Sequence, residues 1–442
     1  MKLWGLIHLS LGVLATRQLF VLGAVLRSRR FLRPDKKSEL VGSRTDVALN
    51  FYVVIPVLRE AAQLSQTIDH FKTLTEGHHA KIIVVTTMRE KAEAGEHADA
   101  PDTVVVAKQF AHDGKIVHLH YPYKHGIKGD QLNFALDFCL KCLLGEAPAH
   151  RAFFLIYDAD SRPPLDSLSQ FEEAIVTNPG VSVFHQSSRF ELRATTIDSD
   201  VKGLPRLRRG IADSGALRAN RFVLGYEIPR LLNRSKKISS WLSRIRSCVY
   251  AHVTGHGLCI RLSLLRELPF PARSPLEDMH YSFLLGSRNL LIVPIKSLDC
   301  AEVPESLSIQ FEQLARWFYG PARFFRYLSD PATQSGWRAR LMAASAAGIT
   351  VEWLSCTNLP VMLVLLFIGE RVTWILIVSL LVIYATQLVA VEQTMSGRPW
   401  NLDQALRILS YPVTFTMFGF AGVVGLCRLL RGDTGAGKTE HS

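Results

Sequence analysis

Apolar residues are concentrated at the two ends of the chain. The first run, LWGLIHLSLGVLATRQLFVLGAVL at 3–26, is long enough to cross a bilayer as a helix. Arg17 interrupts it at a cost of about 2.5–3.5 kcal/mol at mid-depth, unless it reaches the interface or pairs within a helix bundle. The basic RSRRFLR follows without a small-residue cleavage site. We therefore prefer a membrane anchor over 1–30 to a cleaved signal peptide, with the next segment in the cytoplasm.

Three further apolar segments lie in 338–430. They are LMAASAAGITVEWLSCTNLPVMLVLLFIG, VTWILIVSLLVIYATQLVAV and ILSYPVTFTMFGFAGVVGLC, and each is long enough to span. The first is over-long, contains Glu352, and carries Pro360, which we expect to kink it. A broken or re-entrant helix is therefore an alternative for that segment. The pattern predicts about three transmembrane helices here, and four spans in all.

Between the apolar ends, residues 46–310 alternate strand and helix patterns. LNFYVVIPVL, KIIVVTT, TVVVAKQF, KIVHLHYP and AFFLIYDAD predict strands, whereas EAAQLSQTIDHFKTL and DQLNFALDFCLKCLL predict helices. Apolar strands alternating with helices are typical of a mostly parallel sheet covered on both faces. We predict an α/β domain. We interpret the basic stretch 202–246 as irregular or helical, with a surface that faces solvent or lipid.

The composition indicates that part of the chain lies in a membrane and that the protein binds anionic partners. The 442 residues are 48% hydrophobic, which is high for a fully soluble protein, and the formal net charge is +12. Such a charge suits anionic lipid headgroups, nucleic acid or phosphorylated substrates, and by itself it does not choose among them.

The clearest candidate chemistry is FFLIYDADSRPP, where an apolar strand ends in Asp158 and Asp160. Open α/β sheets bind ligands at the carboxyl ends of their strands. Mg²⁺ or Mn²⁺ typically lies between one or two carboxylates and substrate phosphates. A D-x-D triplet alone is more often a turn or a pair of surface acids, but the buried strand before it favours a metal site.

Two later segments carry further candidates. In SPLEDMHYSFLL, Glu277 and Asp278 precede a helical pattern, where acids also serve simply as helix-capping residues. In QFEQLARWFYGP, Gln313, Arg316 and Trp317 share one helical face, and a guanidinium beside an indole suits a diphosphate next to a sugar. The alternative for 305–335 is a set of amphipathic helices that merely anchor at the membrane interface, and both can hold at once.

In this order, the motifs resemble the membrane-embedded family 2 glycosyltransferases, which include cellulose, hyaluronan and chitin synthases. Ceramide glucosyltransferase-like enzymes are the nearest variant. The resemblance extends from Val53 to Gly320 and rests on six segments. These are VVIPVLRE (Pro56, Glu60), KGDQLNFAL (Lys128, Leu132, Asn133), YDADSRP (Asp158, Asp160), TGHGLCIRLSLL (His256), LEDMHYSFLL (Glu277, Asp278) and QLARW (Gln313, Arg316, Trp317).

The resemblance implies an A-type glycosyltransferase (nucleotide-diphosphosugar transferase) domain flanked by transmembrane helices. It implies an inverting hexosyltransferase that uses a nucleotide sugar, which we expect to be a UDP-sugar. The acceptor would be a polysaccharide or a lipid-linked molecule at the cytoplasmic face of a plasma or inner membrane. Expected partners are therefore donor, acceptor and membrane lipids, and not nucleic acid.

The resemblance also implies residue roles. Pro56, Glu60, Lys128 and Asp158 would bind the nucleotide sugar, with Mg²⁺ or Mn²⁺ held by Asp158 and Asp160. Asp278 would be the catalytic base beside Glu277. The residues lining the diphosphate and the mouth of the acceptor site would be Gln313, Arg316, Trp317 and His256.

The sequence departs from the family pattern at two positions. Thr86 and Thr87 stand where acids that grip the nucleotide are expected, so hydroxyls would have to bind it without charge. Arg59 replaces the usual Asn before Glu60. The altered strand end at Thr86 and Thr87 leaves open an alternative function, a non-catalytic glycosyltransferase-like scaffold or partner subunit.

The tail contains GDTGAGKT at 432–439, which matches the phosphate-binding P-loop pattern G-x-x-x-x-G-K-[ST]. In a true P-loop, the Lys and Thr open a helix, but three residues follow Thr439 here. An apolar span also precedes the motif, in place of a sheet strand. We expect no P-loop, and predict a disordered tail over 431–442.

Overall fold

The computed structural model describes residues 2–33, 49–92, 102–143, 149–192, 204–236, 239–272, 274–358, 364–365, 370–397 and 399–432. The strands in this part of the chain are β1 Asn50–Pro56, β2 Ala80–Thr87, β3 Ile116–Tyr121, β4 Ala152–Ile156, β5 Val183–His185, β6 Ser188–Leu192, β7 Leu258–Arg261, β8 Ile292–Pro294 and β9 Asp299–Val303.

Seven strands form one sheet in the order β3–β2–β1–β4–β7–β5–β8. Strand β7 is antiparallel to β4 and β5, and the other neighbours are parallel. Strands β6 and β9 form a separate parallel pair. The predicted mostly parallel α/β sheet is confirmed.

Alternation along the strands explains why both faces of the sheet are covered. In β1, Tyr52 and Val54 enter one hydrophobic core, whereas Phe51, Val53 and Ile55 enter the other. Because both faces are buried, the strands are continuously apolar. The helices of this domain are Ala61–Leu74, Arg89–Ala92, Thr103–Gln109, Lys128–Phe138, Ser167–Thr177, Leu262–Glu267 and Glu277–Ser287, and the π-helical turn Cys139–Leu143 extends the fourth.

The segment TVVVAKQF was predicted as a strand, and this prediction is wrong. It forms the helix Thr103–Gln109, whose N-cap Asp102 accepts a hydrogen bond from the backbone N–H of Val104 at 2.8 Å. Thr103, Val104 and Ala107 are its buried residues, a spacing that matches one helical face. The capping residue and this spacing override the β-propensity of the valines.

The membrane-type helices agree with the sequence in part. Within the described residues, three helices are long and apolar enough to cross a membrane: Trp4–Leu32, Arg371–Ser396 and Leu402–Leu430. The helix Trp337–Ser355 is followed by the 3₁₀ turn Cys356–Asn358, and it is not among the three. Pro360, at which a kink is predicted, and the tail from residue 433 lie outside the described residues.

The basic stretch 202–246 is mainly helical, as Leu204–Phe222, the π-helical turn Val223–Glu227, Ile228–Arg234 and Trp241–Ser247. It was interpreted as a solvent- or lipid-facing surface, and this is wrong for much of it. The helix Leu204–Phe222 packs against the last helix, with Ala216 and Leu217 fully buried. Residues 305–335 contain the helices Leu307–Trp317, Tyr319–Ala322 and Phe324–Tyr327.

Candidate active site

The site forms where the carboxyl ends of β1 and β4 meet. These strands are parallel neighbours, with Val54 opposite Ile156, so Pro56 and Asp158 follow at the same edge. Strand β7 is antiparallel, and therefore the loop before it arrives at this edge too. That loop passes at Gly257, where φ is +65° and a Cβ would lie 2.3 Å from the carbonyl oxygen of Gln186. Only glycine fits there.

Glu60 lies at the start of the helix Ala61–Leu74, next to a backbone turn with a positive φ of 56° at Arg59. Buried Glu90 secures this turn, since its carboxylate accepts hydrogen bonds from the backbone N–H of Arg59 at 2.9 Å and from the hydroxyl of Thr103 at 2.6 Å. The backbone N–H of Glu60 in turn donates to the Thr103 hydroxyl at 3.0 Å.

Lys128 is the central cation of the site. Its Nζ donates to Asp158 Oδ1 at 2.5 Å and to the carbonyl of Gly255 at 2.9 Å, and lies 3.8 Å from Glu277 Oε1. Burial works to lower the pKa of Lys128, but the charges of Asp158 and Glu277 outweigh it and hold the pKa above its usual range. The ammonium therefore stays charged.

Asp158 and Asp160 extend from the loop after β4, and the backbone N–H of Asp158 donates to the Ser161 hydroxyl at 3.2 Å. Burial raises the pKa of Asp160 to about 7, and the charge of Asp158 adds to the rise. Crowded carboxylates of this kind disfavour their own ionisation, and a cation between them relieves the repulsion.

Glu277 and Asp278 form the first turn of the helix Glu277–Ser287. Asp278 Oδ1 accepts from the Met279 N–H at 2.7 Å, and Oδ2 accepts from the Gly255 N–H at 3.2 Å. His252 Nε2 lies 3.7 Å from the same Oδ2. Burial raises the pKa of Glu277 to about 7, with Lys128 opposing the rise and Asp278 adding to it. The two carboxylates thus have different surroundings.

His256 lies in the loop before β7. Its Nδ1 is 3.0 Å from Asp299 Oδ2 and 3.1 Å from the Ser188 hydroxyl. Burial would lower the pKa of His256, but the hydrogen bond and charge of fully buried Asp299 raise it to about 9. The imidazole lies close enough to Asp158 and Asp160 to interact with their charges.

One cavity joins these residues. It has a volume of about 1210 Å³, above the roughly 300–1,000 Å³ of typical ligand pockets. The residues to which the resemblance assigned a catalytic, metal or binding role all line it. They are Pro56, Glu60, Lys128, Asp158, Asp160, His256, Glu277, Asp278, Gln313, Arg316 and Trp317. Leu132 and Asn133 do not line it: Leu132 is in the core, and Asn133 pairs with the backbone of Phe270.

Thr86 and Thr87, which replace the expected acids at the end of β2, lie away from the cavity. Thr86 and Thr87 are buried and neither lines the cavity. The Thr86 hydroxyl lies 2.8 Å from His118 Nε2 and 2.9 Å from His120 Nδ1. The expectation that these hydroxyls bind the nucleotide therefore finds no support. Arg89, two residues further on, lines the cavity instead.

Sequence reasoning missed several other lining residues, most of which come from the basic stretch 202–246 and the apolar ends. They are Arg17, Arg89, Arg218, Arg221, Tyr226, His252 and Glu352. The only available signal was a charged residue inside an apolar run, at Arg17 and Glu352. These two form an ion pair, which is one of the two arrangements that the sequence left open for Arg17.

The carboxylates of Asp158 and Asp160 suit a hard cation that also binds phosphate oxygens. The described residues contain no group of three or more His, Cys, Asp or Glu side chains placed to hold a metal by themselves. Two carboxylates still match Mg²⁺ or Mn²⁺, since such ions commonly take their remaining ligands from water and substrate phosphates.

The mostly parallel sheet, its covering helices and the three membrane-type helices define an α/β protein with apolar helices at both ends. Among solved structures, it is similar to a mannosyltransferase, PcManGT, from Pyrobaculum calidifontis, in complex with GDP-mannose and Mn²⁺. The two share 13% identity over 96% of this chain and 98% of that one, with a TM-score of 0.50. At this identity, the likeness shows a shared fold alone. No protein-family profile and no curated protein sequence matches the chain.

Proposed function

We propose that the protein is an inverting, metal-dependent glycosyltransferase that moves a sugar from a nucleotide-diphosphate sugar to an acceptor hydroxyl. One observation carries the proposal. Residues of six separate motifs, spread over more than 250 positions of sequence, line one cavity at the ligand-binding edge of an α/β sheet. The fold shared with a solved mannosyltransferase, whose structure contains GDP-mannose and Mn²⁺, supports it.

Donor binding would use the sheet edge. Pro56 and Glu60 bound the cavity after β1, and Lys128 supplies a fixed positive charge beside Asp158. Arg316 also lines the cavity. Burial lowers its pKa, and the charge of Glu277 opposes this. Guanidinium and ammonium groups suit diphosphate oxygens. A UDP-sugar is our expected donor.

Asp158 and Asp160 would hold Mg²⁺ or Mn²⁺ against the diphosphate. When bound, the metal neutralises negative charge that develops on the departing nucleotide diphosphate.

Asp278 would act as the general base. Backbone N–H groups of Gly255 and Met279 orient its carboxylate and compensate its charge, so it can take a proton from an acceptor hydroxyl. The hydroxyl oxygen then attacks the anomeric carbon in a single displacement, which inverts its configuration. Gln313 and Trp317 would line the acceptor side of the cavity.

The apolar helices support a membrane location, with the catalytic domain on the cytoplasmic side because Arg27, Arg29, Arg30 and Arg33 follow the first helix core. The proposed acceptor is either a polysaccharide or a lipid-linked molecule.

The test is release of nucleoside diphosphate by purified protein across a panel of donors, with Mn²⁺ or Mg²⁺. We expect Asp278→Asn to lose at least about 100-fold in rate, the scale of general-base catalysis. The matched control is Asp137→Asn, an exposed position on the helix Lys128–Phe138, which should retain the wild-type rate.

Equal, slow release by wild type and Asp278→Asn with every donor would instead favour the non-catalytic scaffold. ATP hydrolysis that is lost in Lys438→Ala and kept in Asp160→Asn would favour a P-loop enzyme.

A further inference from the structure

The cavity continues past the proposed catalytic residues into the membrane-type helices. His252 Nε2 lies 3.7 Å from Asp278 Oδ2, and the ring centre of His252 lies 6.4 Å from that of Phe222. The ring centre of Phe222 is 5.9 Å from that of Tyr226, whose hydroxyl donates to Glu352 at 2.5 Å. All five residues line the same cavity. A single bound molecule can therefore extend from the base towards the apolar helices.

The far half of the cavity is lined by aliphatic side chains from all three candidate spans. Leu9, Val13 and Leu409 line the cavity and are 65, 62 and 75% exposed, so they present apolar surface that no other part of the described chain covers. A sugar chain would lose hydrogen bonds to water against such a wall, whereas an acyl or alkyl tail gains by burial. The lining favours a lipid tail over a growing polysaccharide.

Arg218 and Arg221 also line the cavity, one turn apart on the helix Leu204–Phe222, whose last residue Phe222 belongs to the contact path from Asp278. Within the described residues, neither arginine forms an ion pair. Arg221 donates to two uncharged amide oxygens, Gln387 Oε1 at 3.0 Å and Gln18 Oε1 at 2.8 Å. Arg218 Nε has no hydrogen-bond partner there, and its guanidinium lies 4.4 Å from the ring centre of Phe418.

Burial lowers the pKa of Arg218 to about 10, yet the group remains a cation at neutral pH. Nearby Arg17 differs, because it pairs with Glu352. A desolvated guanidinium without a counter-charge is costly, and an anionic ligand group would supply the missing partner.

We infer that the acceptor is an anionic lipid whose tail lies against the apolar helices, whose phosphate-type group binds Arg218 and Arg221, and whose hydroxyl reaches Asp278. This inference rests on the proposed function for the identity of the hydroxyl as the acceptor. The anion site itself does not depend on it.

The test measures lipid binding without donor. Detergent-solubilised full-length protein is titrated with radiolabelled phosphatidylglycerol, which has two tails, a phosphate and terminal hydroxyls, and bound lipid is counted after affinity capture. Diacylglycerol provides the same tails without the phosphate. Soluble glycerol phosphate provides the headgroup without the tails.

We expect wild type to bind phosphatidylglycerol at least about tenfold more tightly than diacylglycerol, and glycerol phosphate not to compete. Arg218→Gln should weaken phosphatidylglycerol binding at least about tenfold. Arg218→Lys, which keeps the charge, should recover most of it. If Arg218→Gln does not fold, Arg218→Met is the second neutral variant. The matched control is Arg208→Gln, an exposed arginine on the same helix, which should bind as wild type.

Equal binding of phosphatidylglycerol by wild type and a folded neutral variant would overturn the inference. So would equal affinity for diacylglycerol, and full competition by glycerol phosphate would show a free-phosphate site in place of a lipid site. Asp278→Asn should keep lipid binding while losing transfer. A failure of the anion site is thereby distinguished from a failure of the proposed catalysis.

Discussion

Gly425, in the last helix, controls how closely that helix approaches the Gln313–Arg316–Trp317 segment. A Cβ at this position would lie 2.5 Å from the backbone oxygen of Ala315 and 3.0 Å from Phe318 Cβ. Both contacted residues are next to the site residues Arg316 and Trp317. We therefore expect Gly425→Ala to push the helix Leu307–Trp317 away and to move these two side chains.

The contacts set the magnitude of this effect. The 2.5 Å approach is about 0.9 Å short of the 3.4 Å at which such contacts become ordinary, and the obstacle is a backbone atom that cannot rotate away. Overpacking of this kind costs about 1–3 kcal/mol, and the helix propensity of Ala returns about 0.5–1 kcal/mol. The net destabilisation should be about 1–2 kcal/mol. A shift near 1 Å at a catalytic wall can lower the rate about 100-fold.

The assay compares wild type, Gly425→Ala and Gly348→Ala by thermal unfolding in detergent and by nucleoside diphosphate release. Gly348 is exposed in the helix Trp337–Ser355, and a Cβ there meets nothing within 4 Å, so its substitution tests helix propensity alone. Gly425→Ala should unfold at a lower temperature and turn over more slowly, whereas Gly348→Ala should be at least as stable as wild type. If both variants match wild type in stability and rate, the close packing does not constrain the site.

Three further outcomes are expected. Glu352→Gln should lower the unfolding temperature, because it removes the charged partner of Arg17. Adding Arg17→Gln to that variant should recover part of the lost unfolding temperature, and no recovery would contradict the pairing. The pKa of His256, raised to about 9 by Asp299, should contribute stability that is full below about pH 6.5 and lost as pH rises through 9. Without metal or donor, His256→Gln should flatten that pH dependence of the unfolding temperature, and an unchanged curve would refute the assignment. Chelation should abolish nucleotide release and added Mn²⁺ or Mg²⁺ restore it, with Asp160→Asn requiring more metal; release that persists in the chelator would exclude the metal role.

The sheet could be predicted because its signal is local. Runs such as FYVVI and FFLI are buried on both faces, and that burial makes them continuously apolar wherever they lie in the order of the sheet. The strand prediction for TVVVAKQF was wrong. Its valines favour a strand, but the N-cap Asp102 and the burial of one helical face stabilise a helix. The antiparallel insertion of β7 left no pattern in the sequence, since strand direction depends on pairing with β4 and β5.

The predicted site residues could be named from motif letters, but their meeting in one cavity could not be derived from spacing. Thr86 and Thr87 illustrate the limit. They occupy the expected sequence position, yet the register of β2 with β3 buries Thr86 against two histidines and leaves Arg89 at the cavity. Arg218 is the opposite case. It lies in a stretch that the sequence indicated to be surface, and in the structure it lines the cavity.

By itself, the sequence determined the apolar spans, the buried strands and the candidate acids, because hydrophobic periodicity and short motifs are properties of neighbouring residues. Only the tertiary structure decided which charges lack partners. Arg17 forms an ion pair with Glu352, which lies more than 300 positions away in the sequence. Arg218 forms no ion pair with a carboxylate of the described residues. Charge compensation acts through space over a few ångströms, and a distance along the chain carries no information about it.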